Sequence, residues 1–336
     1  MRILFCNPRN SHGTTHSRKG MYVPLGILSI STVLKERFGD GIDITVYDED
    51  VMDADLSSFK NFDLVGFYST TFNYRTCVKY ATLAKQCGAK TLLGGPHPSV
   101  LAGNIMRNRD CFDFVVKYEG EIPVLRLVEC LLSKDDSKLY TVPNLVFKRN
   151  GKVTSSLTSY ENNLKDLPIP SRDFVHFESY VENFKKIYPD KLSIRPGSIY
   201  SSKGCAWRDK TGGCSFCARL EMGVKFRDVH QIWEEVRMLR DKHRVNSIWD
   251  ISDDNLNNRK WFKEFVESMP GDCRRELRNG DLSFFIYSRV GFMLKEGIMD
   301  LLNALNVKEV FLGVESGDDT MLKNDMKGKS VNVIVR

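Results

Sequence analysis

The chain has 336 residues, which at roughly 150 residues per domain predicts two domains. Hydrophobic residues make up 42% of it and charged residues 27%, so disordered, collagen-like and membrane-spanning classes fit poorly. The net charge of +6 is spread along the chain and permits phosphate-bearing ligands without indicating them. Because no apolar run is long enough to span a bilayer and no signal-peptide core begins the chain, we expect a cytoplasmic protein.

Short β-branched or apolar runs alternate with segments of helical period through residues 1–135. The predicted strands are Arg2–Asn7, Asp43–Tyr47, Leu64–Tyr68, Lys90–Gly94 and Phe114–Lys117. The predicted helices are Leu25–Phe38, Tyr74–Cys87, Ser99–Asn108 and Ile122–Leu132. This alternation predicts an α/β, Rossmann-like domain with a flavodoxin-like, doubly wound parallel sheet.

Unusual loops follow several of these strands, at the sheet edge where ligands of open parallel sheets bind. They are Asn7-Pro8, Ser69-Thr70-Thr71, Gly94-Gly95-Pro96-His97-Pro98 and Glu119-Gly120-Glu121. No G-x-G-x-x-G follows any strand, so the dinucleotide-binding fingerprint is absent. On its own, the glycine pair would also be explained by a tight turn.

In this order, and together with Pro24-Leu25-Gly26 and the segment 66–71, these loops resemble the cobalamin-binding domain at the N-terminus of many radical S-adenosylmethionine (SAM) enzymes. The resemblance implies that the nucleotide tail of cobalamin lies beside the loops that follow the third and fourth strands. The cobalamin-binding residues that it implies are Asn7, Ser69, Thr70, Thr71, Gly94, Gly95, Pro96, His97, Glu119 and Gly120.

One departure concerns the lower ligand of cobalt. Where related domains supply this ligand, a histidine stands in an Asp-x-His-x-x-Gly loop, whereas this chain has Asn10-Ser11-His12-Gly13-Thr14-Thr15. A ligand at His12 would lack the acidic partner that fixes the imidazole tautomer and raises its basicity. We interpret His12 and His16 as loop residues and expect a packing or phosphate contact at His97. No protein nitrogen is therefore expected beneath the cobalt.

Residues 136–196 are interpreted as a linker. The Asn150-Gly151 turn, between Asn144–Lys148 and Lys152–Thr154, predicts a small hairpin. Leu167-Pro168-Ile169-Pro170 predicts an extended, proline-rich strap. A strap of the same form precedes the barrel of the radical enzymes named above.

Three of the nine cysteines fall together after the predicted strand Ile199–Ser202. Cys205, Cys214 and Cys217 have the spacing C-x8-C-x2-C, and thiolates select iron–sulfur clusters or zinc. A structural zinc site would require a fourth ligand, whereas three thiolates leave one iron of a cluster open. The other six cysteines stand apart, and each is predicted to be a small, buried and inert hydrophobic residue; they are Cys6, Cys77, Cys87, Cys111, Cys130 and Cys273.

The cysteine triad resembles that of the radical SAM superfamily, which has C-x3-C-x2-C spacing and an aromatic residue before the last cysteine, here Phe216. The first gap is longer in this chain, and Gly212-Gly213 would let the insertion loop out. The resemblance implies a [4Fe-4S] cluster on the three cysteines with SAM on the fourth iron. Reductive cleavage of SAM there yields methionine and a 5′-deoxyadenosyl radical.

Residues 197–336 continue the alternation of strands and helices, which predicts a (β/α) barrel of TIM type with functional groups at the carboxyl ends of its strands. The further strands are Ser247–Ile251, Ser283–Tyr287 and Glu309–Gly313, and the helices are Arg227–Arg244, Trp261–Met269 and Phe292–Ala304. The family barrel has six strands, and only about four βα units fit here. We therefore interpret the sequence as cut short at Val333–Arg336, inside the next helix, which leaves the activity of this chain open.

Polar residues follow these strands. Gly313-Val314-Glu315-Ser316-Gly317 matches a fourth-strand motif of the family in which the glutamate faces SAM, and Asp253-Asp254 stand where the family contacts the SAM amino group. The implied SAM contacts are Phe216, Asp253, Asp254, Ser288, Arg289 and Glu315. Helix capping by Asp254 and a solvated turn at Glu315 are the structural alternatives.

The combined resemblance predicts a cobalamin-dependent radical SAM enzyme, with a methyltransferase acting on an unactivated carbon as the leading hypothesis. A radical SAM cyclase or rearrangement enzyme with the same three cofactors is an alternative, and a zinc- or RNA-binding module without catalysis is another. An electron donor of the flavodoxin or ferredoxin type is expected. The substrate, whether a small molecule or a lipid- or tetrapyrrole-like one, cannot be read from the sequence, and we expect neither a membrane span nor a nucleic-acid partner.

Overall fold

A computed structural model describes residues 1–10, 20–160, 163–218 and 222–324. The chain divides into two compact units, one formed by Met1–Asn162 and Leu167–Ile187, the other by Asn163–Asp166 and Tyr188–Arg336. Within the described ranges, no helix has the length and apolar character needed to cross a bilayer. The predictions for His12, His16 and the chain end fall outside the described residues.

The first unit is built on a seven-stranded sheet in the order β2-β1-β3-β4-β5-β6-β7. Its strands are β1 (Arg2–Asn7), β2 (Asp43–Asp48), β3 (Leu64–Tyr68), β4 (Lys90–Gly94), β5 (Phe114–Val116), β6 (Leu145–Arg149) and β7 (Lys152–Ser155). The first five pair in parallel. Their order is the flavodoxin-like order that the sequence predicts.

Five helices accompany this sheet. They are α1 (Leu25–Phe38), α2 (Tyr74–Gln86), α3 (Pro96–Asn108), α4 (Glu121–Ser133) and α5 (Phe177–Ile187). Successive side chains of a strand point to opposite faces, so β1 places Ile3 and Phe5 in a core with α1 and α4, and Leu4 and Cys6 in a core with α2 and α3. Both faces of the sheet are therefore covered, and its carboxyl edge carries the loops of interest.

The hairpin predicted in the linker forms and extends this sheet. β6 pairs antiparallel with both β5 and β7. Asn150 and Gly151 both have positive φ, 50° and 74°, as the type I′ turn of a two-residue hairpin loop requires. Helix α5, which was not predicted, also lies in residues assigned to the linker by sequence.

The second unit contains a parallel sheet in the order β13-β12-β11-β8 and a separate antiparallel pair, β9 and β10. The strands are β8 (Pro196–Ile199), β9 (Ser202–Lys203), β10 (Lys225–Phe226), β11 (Ser247–Asp250), β12 (Ser283–Ser288) and β13 (Val307–Leu312). The helices are α6 (Ala206–Thr211), α7 (Val229–His243), α8 (Arg259–Glu267), α9 (Gly271–Asn279), α10 (Val290–Met293), α11 (Ile298–Ala304) and α12 (Asp319–Asn324). Strands β11, β12 and β13 overlap the predicted barrel strands, whereas β8 shares only Ile199 with the predicted first one. The parallel sheet places the carboxyl ends of all four strands along one edge.

Two predicted helices differ from the structure at glycine and proline. The helix predicted over Phe292–Ala304 is interrupted, because Gly297 adopts a φ of 72° between α10 and α11. Pro270, predicted to stop a helix, also precedes α9 as its N-cap residue. The predicted first barrel strand, Ile199–Ser202, is likewise divided between β8 and β9.

Candidate functional site

The loop after β11, residues 251–258 and called the β11 loop below, organises the carboxyl edge of the second sheet. At its start, Asp250 Oδ1 accepts hydrogen bonds from the Ser252 hydroxyl at 2.6 Å and from the Ser201 amide at 3.1 Å. Ser252 Oγ in turn accepts from the amides of Ser201 and Ser202, both at 2.9 Å. Asp250 is buried, and burial raises its pKa. These bonds fix the backbone that leaves β8, directly before the cysteines.

Two side chains of the β11 loop hold the backbone on either side of Cys205. Asp253 Oδ2 accepts from the Gly204 amide at 2.9 Å. Asn257 accepts from the Ala206 amide through Oδ1 at 3.0 Å and donates from Nδ2 to the Gly204 carbonyl at 2.9 Å. Asp253 was predicted from sequence as a SAM contact, and Asn257 was not singled out. The only sequence signal for Asn257 is an amide side chain in a polar loop that follows a strand.

The residues inserted between the first two cysteines form the short helix α6. Gly212 and Gly213, where the insertion was predicted to loop out, have positive φ of 84° and 96° and follow the helix. In α6, the Trp207 ring lies 4.3 Å from the guanidinium carbon of Arg289, at cation–π distance. Asp209 Oδ1 accepts from the Gly223 amide at 3.1 Å. The insertion is thus a folded element that contacts the ends of β12 and of the loop before β10.

The second and third cysteines occupy a tight turn. The Cys217 amide donates to the Cys214 carbonyl at 3.0 Å. Cys217 is exposed, Cys205 and Cys214 are half-buried, and none of the three forms a disulfide. Phe216, a predicted SAM contact, is 54% exposed. The turn therefore presents its side chains outward.

The donor set for a metal group on this loop consists of three cysteine thiols. Among the described residues, no three or more His, Cys, Asp or Glu side chains are arranged around one metal position. The thiolates of an iron–sulfur cluster bind different irons, and so they stand farther apart than the ligands of one ion. Three cysteines on one loop, with the backbone around the first held by its neighbours, would supply the three thiolates of a [4Fe-4S] cluster and leave one iron open.

Asp254 is buried at the same edge with one oxygen engaged and one free. It is 1% exposed, and its Oδ1 accepts from the Leu256 amide at 3.1 Å and the Ser288 hydroxyl at 3.3 Å. Oδ2 has no hydrogen-bond partner among the described residues. Burial raises the pKa of Asp254 to about 6, although the positive charge of Arg289 acts in the opposite direction. Such a carboxylate is suited to a cationic or hydrogen-bonding ligand.

The alternative in which Asp254 caps a helix is wrong. Helix α8 begins at Arg259, and Asn258 caps it by accepting from the Trp261 amide at 3.1 Å. The other predicted SAM residue, Glu315, is exposed and has a left-handed φ of 69°. The segment that carries it starts beside Ser288, whose carbonyl accepts from the Gly313 amide at 3.3 Å. The structure thus brings Asp254, Ser288 and Arg289 together.

The raised pKa of Asp254 predicts a pH dependence of stability in the second unit. Its carboxyl binds its proton more tightly when folded than at the ordinary value of 3.8, so the stabilisation is present at low pH and is lost as the pH rises through about 6. The free energy of unfolding of wild type should therefore fall between pH 5 and pH 7.5. In Asp254→Asn, which cannot ionise, we expect this fall to be smaller by about 1–2 kcal/mol. Urea unfolding followed by tryptophan fluorescence measures the free energy of unfolding at each pH. An equal dependence of this free energy on pH in wild type and variant would contradict the assignment.

At the carboxyl edge of the first sheet, Asn73 ties two loops together. Its Nδ2 donates to the carbonyls of Pro8 at 2.9 Å and Tyr68 at 3.1 Å, and its Oδ1 accepts from the Thr70 amide at 2.8 Å. Asn73 is buried. It was not predicted as a functional residue, because its partners after β1 are distant in sequence. The loops that follow β1 and β3 are therefore fixed relative to each other.

The predicted cobalamin residues after β3 and β4 form one assembly. The Ser69 amide donates to the Gly94 carbonyl at 2.8 Å, and the His97 amide donates to the Ser69 carbonyl at 3.2 Å. The His97 ring packs 4.4 Å from the Tyr74 ring, and its Nδ1 lies 3.2 Å from the Thr71 hydroxyl. Partial burial lowers the pKa of His97. Open space beside Gly94, where an added Cβ would touch nothing within 4 Å, leaves room for a ligand at this edge.

Other predicted cobalamin residues are engaged within the unit or begin helices. Asn7 donates to Asp48 Oδ1 at 2.9 Å, and Asp48 also accepts from the buried Tyr180 hydroxyl at 2.7 Å. Burial raises the pKa of Asp48. Pro96 is the first residue of α3, and Gly120 precedes α4 next to the half-buried Glu119. Asn7 thus contributes to fixing the start of the loop after β1.

Gly95 occupies a backbone conformation that only glycine adopts readily, with φ 107° and ψ −175°. A Cβ there would lie 2.7 Å from the Ser69 carbonyl oxygen. We expect Gly95→Ala to destabilise the β3–β4 edge by about 1–3 kcal/mol, measured as faster hydrogen exchange in peptides from β3 and β4. Gly94→Ala is the matched control, since its Cβ would meet open space. Equal exchange in the two variants would contradict the prediction.

Comparison with known proteins agrees with this geometry. Residues 11–128 match the family model of the B12 binding domain. Over 317 residues the chain is 26% identical to an uncharacterised methyltransferase from Pyrococcus horikoshii, covering 91% of this chain and 63% of that protein. It is 22% identical to an anaerobic magnesium-protoporphyrin IX monomethyl ester cyclase from Synechocystis, covering 99% and 64%. The chain thus spans less than two thirds of the length of these curated relatives.

A solved structure extends the likeness to the fold of both units. OxsB, a cobalamin-dependent SAM radical enzyme solved with aqua-cobalamin and SAM bound, superposes with a TM-score of 0.78 at 14% identity. The match covers 99% of this chain and 46% of OxsB. Residues 11–128 thus form a B12 binding domain, and the chain as a whole has the fold of a cobalamin-dependent SAM radical enzyme.

Proposed function

We propose that this protein is a cobalamin-dependent radical SAM enzyme that cleaves SAM reductively at a [4Fe-4S] cluster and transfers a methyl group to an unactivated carbon. The observation that carries the proposal is the loop of three cysteines outside any disulfide at the carboxyl edge of a parallel sheet, in a chain that also has a B12 binding domain. The similarity to a methyltransferase supports methyl transfer.

In this proposal, residues 197–336 hold the cluster and SAM, and residues 1–135 hold cobalamin. When bound, these groups supply a carbon-centred radical and a transferable methyl group. Cys205, Cys214 and Cys217 would be the protein ligands of the cluster. Asp254, with its free and buried Oδ2, would accept from a donor group of SAM or substrate, and its burial keeps water from competing for that oxygen.

In the first unit, the chain's own role is to hold an open edge for cobalamin. The Ser69, Gly94 and His97 assembly would line the nucleotide-tail side, and the turn at Gly95 keeps the two loops in contact. Asn73 would keep the loop after β1 at a fixed distance from it. These contacts involve main-chain atoms, so the geometry is set by the fold before any ligand arrives.

A cyclase with the same cofactors is the second candidate, favoured by the similarity to the magnesium-protoporphyrin IX monomethyl ester cyclase. The proposal also includes a cytoplasmic location, where free thiols stay reduced. A flavodoxin- or ferredoxin-type protein would deliver the electron, and the substrate would be a small molecule.

Anaerobic purification and reconstitution test the proposal. About four irons and one cobalamin per chain are expected, together with 5′-deoxyadenosine from SAM and a reductant. Methyl transfer would also release S-adenosylhomocysteine, whereas a cyclase would form 5′-deoxyadenosine without it. Zinc as the only bound metal, with no cobalamin, would support the zinc-binding alternative and overturn this one.

A further inference from the structure

We propose that Asn257 and Asp253 are positioning residues that hold Cys205 in its ligand position before the cluster binds. The inference rests on the proposed function, because it assigns Cys205 to a cluster. It differs from the sequence expectation, in which Asp253 contacts SAM and Asn257 has no role.

The two side chains hold the backbone immediately before and after Cys205. Asp253 accepts from the Gly204 amide, and Asn257 binds both the Gly204 carbonyl and the Ala206 amide, all at 2.9–3.0 Å. One donor and one acceptor of the Asn257 amide are used in this way, much as a neighbouring strand would use them. The thiol of Cys205 takes no part in these three bonds, so the side chain stays available as a ligand.

The β11 loop that carries the two residues is itself firmly held. Asn255 forms a reciprocal pair with the backbone of Tyr287 in β12, accepting from its amide at 2.8 Å and donating its own amide to the carbonyl at 2.9 Å. Asn255 and Leu256 are both buried. The loop follows β11 and is bonded to β12, so the positions of Asn257 and Asp253 are fixed. The hydrogen bonds from these two residues therefore hold the backbone at Cys205 in a fixed position.

A third contact closes the other side of Gly204. Its φ is 97°, and an added Cβ would lie 2.2 Å from the Gly223 carbonyl oxygen. The Gly223 backbone therefore lies directly against Gly204, where only hydrogen fits. Together with the β11 loop, it confines the residue before Cys205 from two directions.

The long gap between the first two cysteines explains why Cys205 needs contacts that hold it in place. A gap of three residues would fix the first cysteine relative to the others through the chain itself, whereas here the six-residue helix α6 intervenes. Cys205 must then be positioned independently of the turn that carries Cys214 and Cys217. Asn257 and Asp253 supply that positioning from the β11 loop.

The test compares Asn257→Ala with Asn258→Ala in the full chain. The adjacent Asn258 caps α8 and is exposed, so its variant perturbs the same loop without touching the backbone around Cys205. In the cluster-free protein, we expect iodoacetamide to alkylate Cys205 about fivefold faster in Asn257→Ala than in wild type, as for the loss of about one net hydrogen bond. The exposed Cys87 serves as internal reference, and Asn258→Ala should match wild type.

After reconstitution, Asn257→Ala should bind less iron and show an altered electron paramagnetic resonance spectrum of the reduced cluster. Asn257→Asp keeps the acceptor for Ala206 and loses the donor to Gly204, so an intermediate alkylation rate is expected even if the alanine variant folds poorly. Unchanged Cys205 alkylation in folded Asn257 variants would overturn the proposal. A wild type that binds no iron would instead contradict the proposed function and leave the alkylation result to decide the positioning role.

Discussion

Replacing Cys205, Cys214 or Cys217 singly by alanine is expected to reduce bound iron from about four per chain to background and to abolish formation of 5′-deoxyadenosine. The physical reason is that each thiolate would hold a different iron, so that no remaining side chain on the loop can replace it. Iron and sulfide analysis of anaerobically reconstituted protein, with chromatography of the SAM products, measures both effects.

Cys87→Ala is the matched control for these variants. The prediction that Cys87 is buried is wrong, because it is the exposed residue that ends α2 in the first unit. Like Cys217 it is an exposed thiol outside any disulfide. It should therefore keep wild-type iron and wild-type SAM cleavage. A Cys205, Cys214 or Cys217 variant that retained a full cluster would remove that cysteine from the ligand set.

The second large effect concerns stability. Arg227 and Glu235 form an ion pair with side chains only 1% exposed, and Arg227 also donates to the Tyr200 carbonyl at 3.1 Å. Arg227→Met is expected to destabilise the second unit by about 3–5 kcal/mol, because Glu235 would remain buried without its partner. The double variant with Glu235→Leu should recover most of this loss, leaving mainly the loss of the hydrogen bond from Arg227 to the Tyr200 carbonyl.

Tryptophan fluorescence during urea unfolding reports on this unit alone, since Trp207, Trp233, Trp249 and Trp261 all belong to it. The surface pair Lys263 and Glu267, with side chains 61% and 63% exposed, provides the control. Lys263→Met should change stability by less than about 0.5 kcal/mol. If Arg227→Met behaved like that control, the buried pair would not contribute as described.

Local patterns were sufficient for the elements of the first unit. Leu25–Phe38 has helical period and stops at Gly39, and β1, β3 and β4 form over the predicted residues. The pairing of the β6–β7 hairpin with β5 could not be predicted in the same way. An antiparallel addition to a sheet depends on a partner far away in sequence, and the turn signal at Asn150-Gly151 specifies only the hairpin.

The sequence predicts those parts of the candidate site that consist of a local pattern of reactive side chains. It does not predict the parts that depend on contacts between residues far apart in sequence. The spacing of Cys205, Cys214 and Cys217 is visible in the sequence. The free buried oxygen of Asp254 depends on the positions of Leu256 and Ser288, and the roles of Asn73 and Asn257 depend on loops that only the fold brings near. A helix ends before Pro270 as predicted, but α9 was missed, because proline can precede a helix as well as follow one.

The two asparagines have a consequence for sequence variation. Asn73 binds the backbone at Pro8, Tyr68 and Thr70, and Asn257 binds it at Gly204 and Ala206. Main-chain carbonyls are present whatever the side chain, and amides are present in every residue except proline. As far as these bonds are concerned, position 8 can carry any residue and positions 70 and 206 any residue except proline, whereas positions 73 and 257 require the amide side chain.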